Sequence, residues 1–189
     1  MASLTFAFFP SESSNDHQAR VIVDGRDIIE CIDKEMLGID PVEFFGQSSL
    51  RSSGELLVGR CSCGCVGCCD ARVDTFWTDK HVTWRSQYPW MKEIVFDRSS
   101  FESSIEIASK DTSWENLERR VERMISRLDF DAFTRRGIIF DWASARFDKE
   151  TIRLSFHQGR EQEMFSVPWD HTNEALALSA VKGFIESHA

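Results

Sequence analysis

The sequence predicts an α+β fold, in which a single domain spanning residues 1–189 has a largely antiparallel sheet and about four helices packed on it. Short runs of apolar or alternating residues recur along the chain, as in strands that bury one face. These runs lack the regular strand–helix alternation that builds a parallel sheet. A chain of 189 residues also suits one domain that buries roughly 70% of its unfolded surface, so folding requires neither a disulfide nor a metal.

The first third of the chain predicts two strands, a short helix and a long connection. Apolar residues alternate with others over residues 4–8, and an apolar run over residues 20–23 ends at an Asp-Gly turn, so each segment indicates a strand. Helical spacing over residues 27–36 predicts a helix, in which Cys31 takes the place of a small core residue. Residues 38–54 contain Pro, Gly and Ser, a composition typical of a connection.

The middle third is predicted to be mainly strand. Residues 56–58, 71–77, 81–87 and 93–96 are short runs rich in apolar or β-branched residues, with turn residues between them. Apolar residues then recur at helical spacing up to residue 108. Ser99 or Ser100 would cap that helix, because a serine hydroxyl accepts from the first backbone N–H groups.

The last third predicts a long helix, three strands and a terminal helix. Thr112 and Glu115 have the spacing of a capping box, and an apolar stripe follows them. Residues 138–142, 152–156 and 164–167 indicate a three-stranded meander. The chain then closes with an apolar pattern at helical spacing.

The net charge of −9 argues against non-specific binding of nucleic acid, whose phosphates require an excess of lysine and arginine. No apolar stretch reaches the roughly 20 residues that span a bilayer, so no membrane association is expected. The apolar opening residues lack the basic segment of a signal peptide. We therefore expect a cytoplasmic protein, and an acidic surface suits a partner protein that is itself basic.

Five of the six cysteines fall within nine residues, and they are the candidate metal ligands Cys61, Cys63, Cys65, Cys68 and Cys69. Zinc is the metal considered first, because it binds cysteine sulfur at about 2.3 Å in tetrahedral sites. Alternate residues of an extended strand stand roughly 6.5 Å apart, so the segment must turn if several of its thiols hold one ion. Two glycines within the segment permit such a turn.

Three uses of these cysteines stay open on the sequence alone. The Cys65-Val66-Gly67-Cys68 spacing is found in zinc knuckles and in redox loops, but a second pair with this spacing is missing. A disulfide or a reactive thiolate is the second use, and Arg60 and Arg72 flank the segment. The third use is structural, with cysteines filling a tight connection between strands.

The segment Cys61-Ser62-Cys63-Gly64-Cys65-Val66-Gly67-Cys68 resembles a group of small uncharacterised bacterial proteins that carry Cys-x-Cys-Gly-x-x-Gly-Cys between strands. The same proteins have a downstream segment similar to Phe96-Asp97-Arg98, and the resemblance covers residues 54–105. It implies a bacterial source and no particular activity. Cys65 and Cys69 are additional to the shared pattern, which makes the other three cysteines the stronger site candidates.

No catalytic motif is present, since the chain lacks paired metal-binding histidines, a nucleophile elbow and a phosphate loop. Asp141 and the Asp170-His171 pair are better explained as a strand position and a helix cap than as acid–base groups.

We therefore expect a non-enzymatic, accessory or immunity-like protein that binds another protein. The aromatic side chains around one predicted hairpin, from Trp77 to Trp90, serve either its core or an interface. The alternative is a metal-binding or thiol-redox-sensing protein that uses the Cys61–Cys69 cluster.

Overall fold

The computed structural model describes residues 1–11, 16–63 and 67–188. The chain divides into two compact units, Met1–Trp114 and Glu115–Ala189. The fold is α+β, but the predicted fold class of one domain with one sheet is wrong, because the strands of the described residues form three antiparallel sheets. Each unit has its own hydrophobic core. Alternating apolar residues reveal a buried face without revealing which strand lies beside it.

The first unit contains two sheets. Their spatial orders are β1-β2-β3 and β4-β5-β6-β7-β8, and every strand pairs antiparallel with its neighbour. The strands are β1 (Leu4–Pro10), β2 (His17–Val23), β3 (Arg26–Asp27), β4 (Met36–Leu37), β5 (Gly54–Cys61), β6 (Asp70–Trp77), β7 (His81–Arg85) and β8 (Glu93–Asp97). The helices are α1 (Ile28–Ile32), α2 (Pro41–Gly46) and α3 (Arg98–Lys110), with 3-10 turns at Ser48–Leu50 and Pro89–Met91.

Side-chain caps fix where these helices begin. The predicted serine cap of α3 is wrong, because Asp97 occupies the N-cap and accepts from the Ser100 backbone N–H at 2.9 Å. Helix α2 falls inside the segment predicted to be a connection. Its own start signal is Asp40, which caps it, followed by Pro41 in the first turn. Proline is favoured there because its fixed φ suits a helix and its missing N–H would have no helical partner.

Aromatic rings fill the core of the first unit where α3 meets the five-stranded sheet. The rings of Trp84, Phe96 and Phe101 are fully buried, with centroids 5.0–5.8 Å apart. Trp77 meets Phe101 edge to face at 5.5 Å. Such ring pairs contribute about 0.5–1.5 kcal/mol beyond the area they bury. The aromatic residues of the predicted hairpin therefore serve mainly the core, while Trp90 stays 38% exposed.

The second unit is a three-stranded sheet in the order β11-β10-β9, together with three helices. Its elements are β9 (Ile139–Asp148), β10 (Thr151–Gln158), β11 (Glu161–Pro168), α4 (Leu117–Ile125), α5 (Asp131–Thr134) and α6 (Glu174–His188). The predicted capping box is wrong, since Asn116 caps α4 by accepting from the Arg119 backbone N–H at 3.0 Å. Glu115 instead pairs with Arg123 at 2.7 Å. None of the helices in the described ranges is long and apolar enough to cross a membrane.

Candidate metal centre

The candidate centre lies at the end of the β5–β6 hairpin. Strand β5 runs up to Cys61, whose backbone N–H donates to the carbonyl of Cys69 at 3.0 Å and so closes the base of the loop. Arg60 and Asp70 are the first pair of opposite residues in the two strands, next to this hydrogen bond on the side away from the loop. On its other side Cys61 pairs with Met36 of β4, so its backbone is held between two neighbouring strands.

Three of the five predicted ligands come together there. The Sγ atoms of Cys61, Cys63 and Cys68 all lie within 4.8 Å of one another. Cys61 is half-buried, whereas Cys63 and Cys68 are exposed. Cys63 follows Cys61 in a turn and not in a strand, which is how alternate residues overcome the separation that an extended chain imposes.

The remaining cysteines divide into three cases. Cys69 is exposed, contributes its carbonyl to the loop closure and lies outside the group of three thiols. Cys65 lies outside the described residues. The core position predicted for Cys31 is wrong, because Cys31 is on the exposed side of α1 and Ile28 and Ile29 face the core instead.

The three thiols lie close enough to contact one another. The Sγ atoms of Cys61 and Cys63 are 2.6 Å apart. Hydrogen bonds with Cys63 and Cys61 that favour the protonated thiol of Cys68, together with the like charges of those two groups on ionisation, raise the pKa of Cys68 to about 12. Three thiolates side by side repel one another, and a cation between them removes that penalty. Binding of a metal ion would therefore release protons from the cluster.

The ligand set suits a soft metal ion. Thiolates favour Zn(II) and Cu(I), whereas Mg²⁺ and Ca²⁺ prefer oxygen ligands. Tetrahedral zinc with sulfur at about 2.3 Å places its sulfur atoms about 3.8 Å apart. Cys61 and Cys63 would therefore separate by about 1 Å around the ion, and all three Sγ atoms already lie within 4.8 Å of one another.

A network of paired charges lies directly beneath the loop. The Asp70 side chain is 4% exposed, with Arg72 Nη2 at 2.6 Å and Arg60 Nε at 3.5 Å. Burial would raise the pKa of Asp70, but the hydrogen bond and charge of Arg72, the charge of Arg60 and the Gly67 N–H together hold it below its usual value. The sequence-based prediction named both arginines but missed Asp70. Asp70 belongs to no sequence motif, and only the strand register places it opposite Arg60 at the base of the hairpin.

Two further polar clusters lie in the second unit. Glu122 is buried and accepts from the Ala145 N–H, Ser144 Oγ and Arg146 Nε at 2.9–3.1 Å. Burial raises the pKa of Glu122, and its partners tie α4 to β9, so the cluster has a structural explanation. Asp141 accepts from Ser155 Oγ at 3.2 Å and contacts the His157 ring. Ser155 bonds to Asp141 and Gln162 and not to the histidine, so this group is not arranged as a catalytic triad.

Comparisons with models of known protein families, with curated protein sequences and with solved structures found no match to this chain.

Proposed function

We propose that this protein binds a thiophilic metal ion, with Zn(II) as the first candidate, through the thiolates of Cys61, Cys63 and Cys68. The observation that carries the proposal is the grouping of their three Sγ atoms within 4.8 Å at the tip of one hairpin. Thiols that serve only as packing would be buried, yet two of the three are exposed. Exposure instead gives an ion in solution direct access to its ligands.

The test is zinc titration of the reduced protein, followed by native mass spectrometry and by competition with a chromophoric chelator. We expect about one zinc per chain and protection of three thiols from alkylation. Cys68→Ser should weaken zinc binding by at least about 100-fold, because losing a ligand should cost more than losing an outer-shell partner. Cys31→Ser is the matched control, since it removes an exposed thiol from a different element and should leave the affinity unchanged.

Two results would contradict the proposal. One is a metal-free mass in the presence of zinc, with all thiols alkylated at the same rate with and without the ion. The other is an equal loss of zinc affinity in Cys31→Ser and Cys68→Ser, which would indicate non-specific binding by accessible thiols.

A second candidate function is thiol redox sensing, which the 2.6 Å approach of Cys61 Sγ to Cys63 Sγ favours. With hydrogen peroxide as oxidant, the thiolate of one cysteine attacks a peroxide oxygen, forms a sulfenic acid and releases water after protonation. The second thiolate then attacks that sulfur, so an S–S bond forms and a second water leaves. The two thiols supply two electrons and two protons. Peptide mapping after peroxide treatment should find this disulfide, and persistent free thiols at both positions would exclude it.

Binding of another protein, the role predicted from the net charge of −9, stays a prediction, as does the relationship to the bacterial group. A protein interaction is compatible with a metal-bound hairpin. It would be tested separately, by whether a purified basic partner binds the zinc-loaded and zinc-free protein with different affinity. Equal affinity of the partner for both forms would show that protein binding does not depend on metal binding.

A further inference from the structure

We propose that a bound ion and a Cys61–Cys63 disulfide exclude one another, so that oxidation of this pair by a peroxide releases the metal. This inference rests on the metal-binding function proposed above, and it joins the two candidate functions into one regulated site. The three ligands are the thiols whose Sγ atoms lie within 4.8 Å of one another. Two of them are also the pair in contact at 2.6 Å. Metal binding and oxidation therefore draw on the same sulfur atoms.

The distance between Cys61 Sγ and Cys63 Sγ lies between the values that the two states require. A disulfide bond is about 2 Å long, so the two sulfurs would approach by about 0.6 Å. Two sulfur ligands of one tetrahedral zinc ion stand about 3.8 Å apart, so the sulfurs would instead separate by about 1 Å. Because one pair of atoms cannot hold both separations, the bond and the ion cannot coexist at this pair.

The two thiols of the pair differ in how they are held and in how accessible they are. Cys61 is the last residue of β5, pairs with Met36 of β4 and donates its N–H to the Cys69 carbonyl at 3.0 Å. Cys63 lies in the turn that follows and is exposed, whereas Cys61 is half-buried. A peroxide in solution therefore reaches the Cys63 sulfur before the Cys61 sulfur, which is in contact with it.

Hydrogen peroxide is the oxidant of this step. The Cys63 thiolate attacks one peroxide oxygen, the O–O bond breaks, and the departing hydroxide leaves as water after protonation, with Cys63 as a sulfenic acid. The Cys61 thiolate then attacks the Cys63 sulfur, the S–O bond breaks, and a second hydroxide leaves as water after protonation. The two thiolates thus lose two electrons to the peroxide, and two protons come from the solvent.

The disulfide removes two of the three ligands at once. A thiolate is the form of cysteine that binds a metal, and a disulfide sulfur carries no negative charge. Cys68 is the remaining member of the three-thiol group. Zinc sites in proteins use three or four protein ligands, so one thiolate does not retain the ion. Zinc therefore leaves as the hydrated ion.

The same exclusion acts in the opposite direction. Zinc binds the reduced form and not the disulfide, so free zinc stabilises the thiols against oxidation by mass action. One ion is bound for every two electrons. Each tenfold rise in free zinc above the dissociation constant should therefore raise the midpoint potential of the Cys61–Cys63 couple by about 30 mV.

The first experiment equilibrates the protein in glutathione redox buffers at several free zinc concentrations, each fixed by a chelator. Free thiols are then alkylated, and fragmentation of the tryptic peptide 61–72 identifies the unlabelled pair. We expect unlabelled Cys61 and Cys63, a labelled Cys68, and the rise of about 30 mV for each tenfold rise in free zinc. A midpoint potential that does not change with zinc, or a disulfide between other cysteines, would overturn the inference.

The second experiment treats the zinc-loaded protein with hydrogen peroxide and follows the released ion with a chromophoric chelator. We expect one zinc ion released for each disulfide formed, and renewed binding after reduction. Cys69→Ser is the matched control, because this variant removes an exposed thiol next to a ligand but outside the three-thiol group. It should release zinc as the unmodified protein does. Loss of release in Cys69→Ser would show that Cys69 forms the disulfide, against the inference.

The outcomes separate the two proposals. If the reduced, unmodified protein binds no zinc, the metal-binding function fails and the inference fails with it. If that protein binds zinc, forms the Cys61–Cys63 disulfide and still retains the ion, the inference alone is overturned. The same holds if peroxide leaves both thiols free while zinc stays bound.

Discussion

At the scale of single residues, short polar side chains decide how helices and loops attach to the sheets. Asp97 accepts three hydrogen bonds at the start of α3, from Ser99 Oγ at 2.6 Å, the Ser100 N–H at 2.9 Å and Ser100 Oγ at 3.1 Å. These bonds, the one from Ser99 first, lower the pKa of Asp97 below its ordinary value of 3.8. A carboxylate at a helix N-terminus is also favoured by the helix dipole.

This shift predicts a pH dependence of stability. Because the folded-state pKa of Asp97 is lowered, its ionised form stabilises the fold above pH 3.8, and that contribution is lost as the pH falls through the folded-state pKa. Asp97→Asn should therefore be less stable than the unmodified protein at pH 7, with a difference that shrinks below pH 4. Urea unfolding followed by circular dichroism between pH 7 and pH 3 measures this. A difference that stays constant over that range would exclude the mechanism.

At the scale of elements, close approach between segments depends on glycine at one position. Gly38 precedes Ile39, whose carbonyl accepts from the Ala19 N–H of β2 at 2.8 Å. A Cβ added at Gly38 would lie 2.4 Å from the Ala19 carbonyl oxygen. No side chain fits at that distance, so the contact requires glycine.

The expected result is that Gly38→Ala destabilises the first unit by about 1–3 kcal/mol, the range for forcing extra atoms into a packed site. Gly46→Ala is the control, because a Cβ there meets nothing within 4 Å. Chemical denaturation gives the free energy of unfolding of both variants. If Gly38→Ala has the same free energy of unfolding as Gly46→Ala, then β2 and the segment before α2 can move apart without destabilising the protein.

The sequence predicted most elements but not their partners. The apolar patterns located β9, β10 and β11 within a few residues, because a half-buried strand leaves a period-two signal. The start of α4 was misplaced, since Thr112 and Glu115 fit a capping box as well as Asn116 fits a simple cap. Strand pairing into three sheets depends on contacts between distant segments, which local periodicity does not encode.

The candidate site was predictable only in part for the same reason. Crowding of cysteines singled out the hairpin, and Gly67 indicated the turn. Which thiols converge depends on the loop conformation, and this separates Cys69 from the other three. Asp70 gave no motif of its own, because its place beside Arg60 and Arg72 arises from the strand register.

At the scale of the whole molecule, each unit has its own hydrophobic core. We therefore expect each unit to have its own free energy of local unfolding. Phe156 is fully buried at the centre of the second core, among Phe130, Phe133, Phe140 and Phe165. Phe156→Ala should cost about 3–5 kcal/mol. Amide hydrogen exchange should accelerate within residues 115–188 and change little within the described part of residues 1–114.

Leu57→Ala, in the first core, is the reciprocal variant and should accelerate exchange in the first unit. Uniform acceleration along the chain in both variants would show that the units unfold together. Exchange followed by mass spectrometry of peptic fragments resolves the two regions.

All three candidate ligands belong to eight consecutive residues of one hairpin, so their assembly needs no distant part of the chain. Along the chain, β5 and β6 both precede α3 and the whole second unit, so the three ligands are synthesised before those parts. An isolated two-stranded hairpin is marginally stable in water. An ion captured at that stage would act as a cross-link on the nascent chain, holding β5 against β6 until their neighbours arrive.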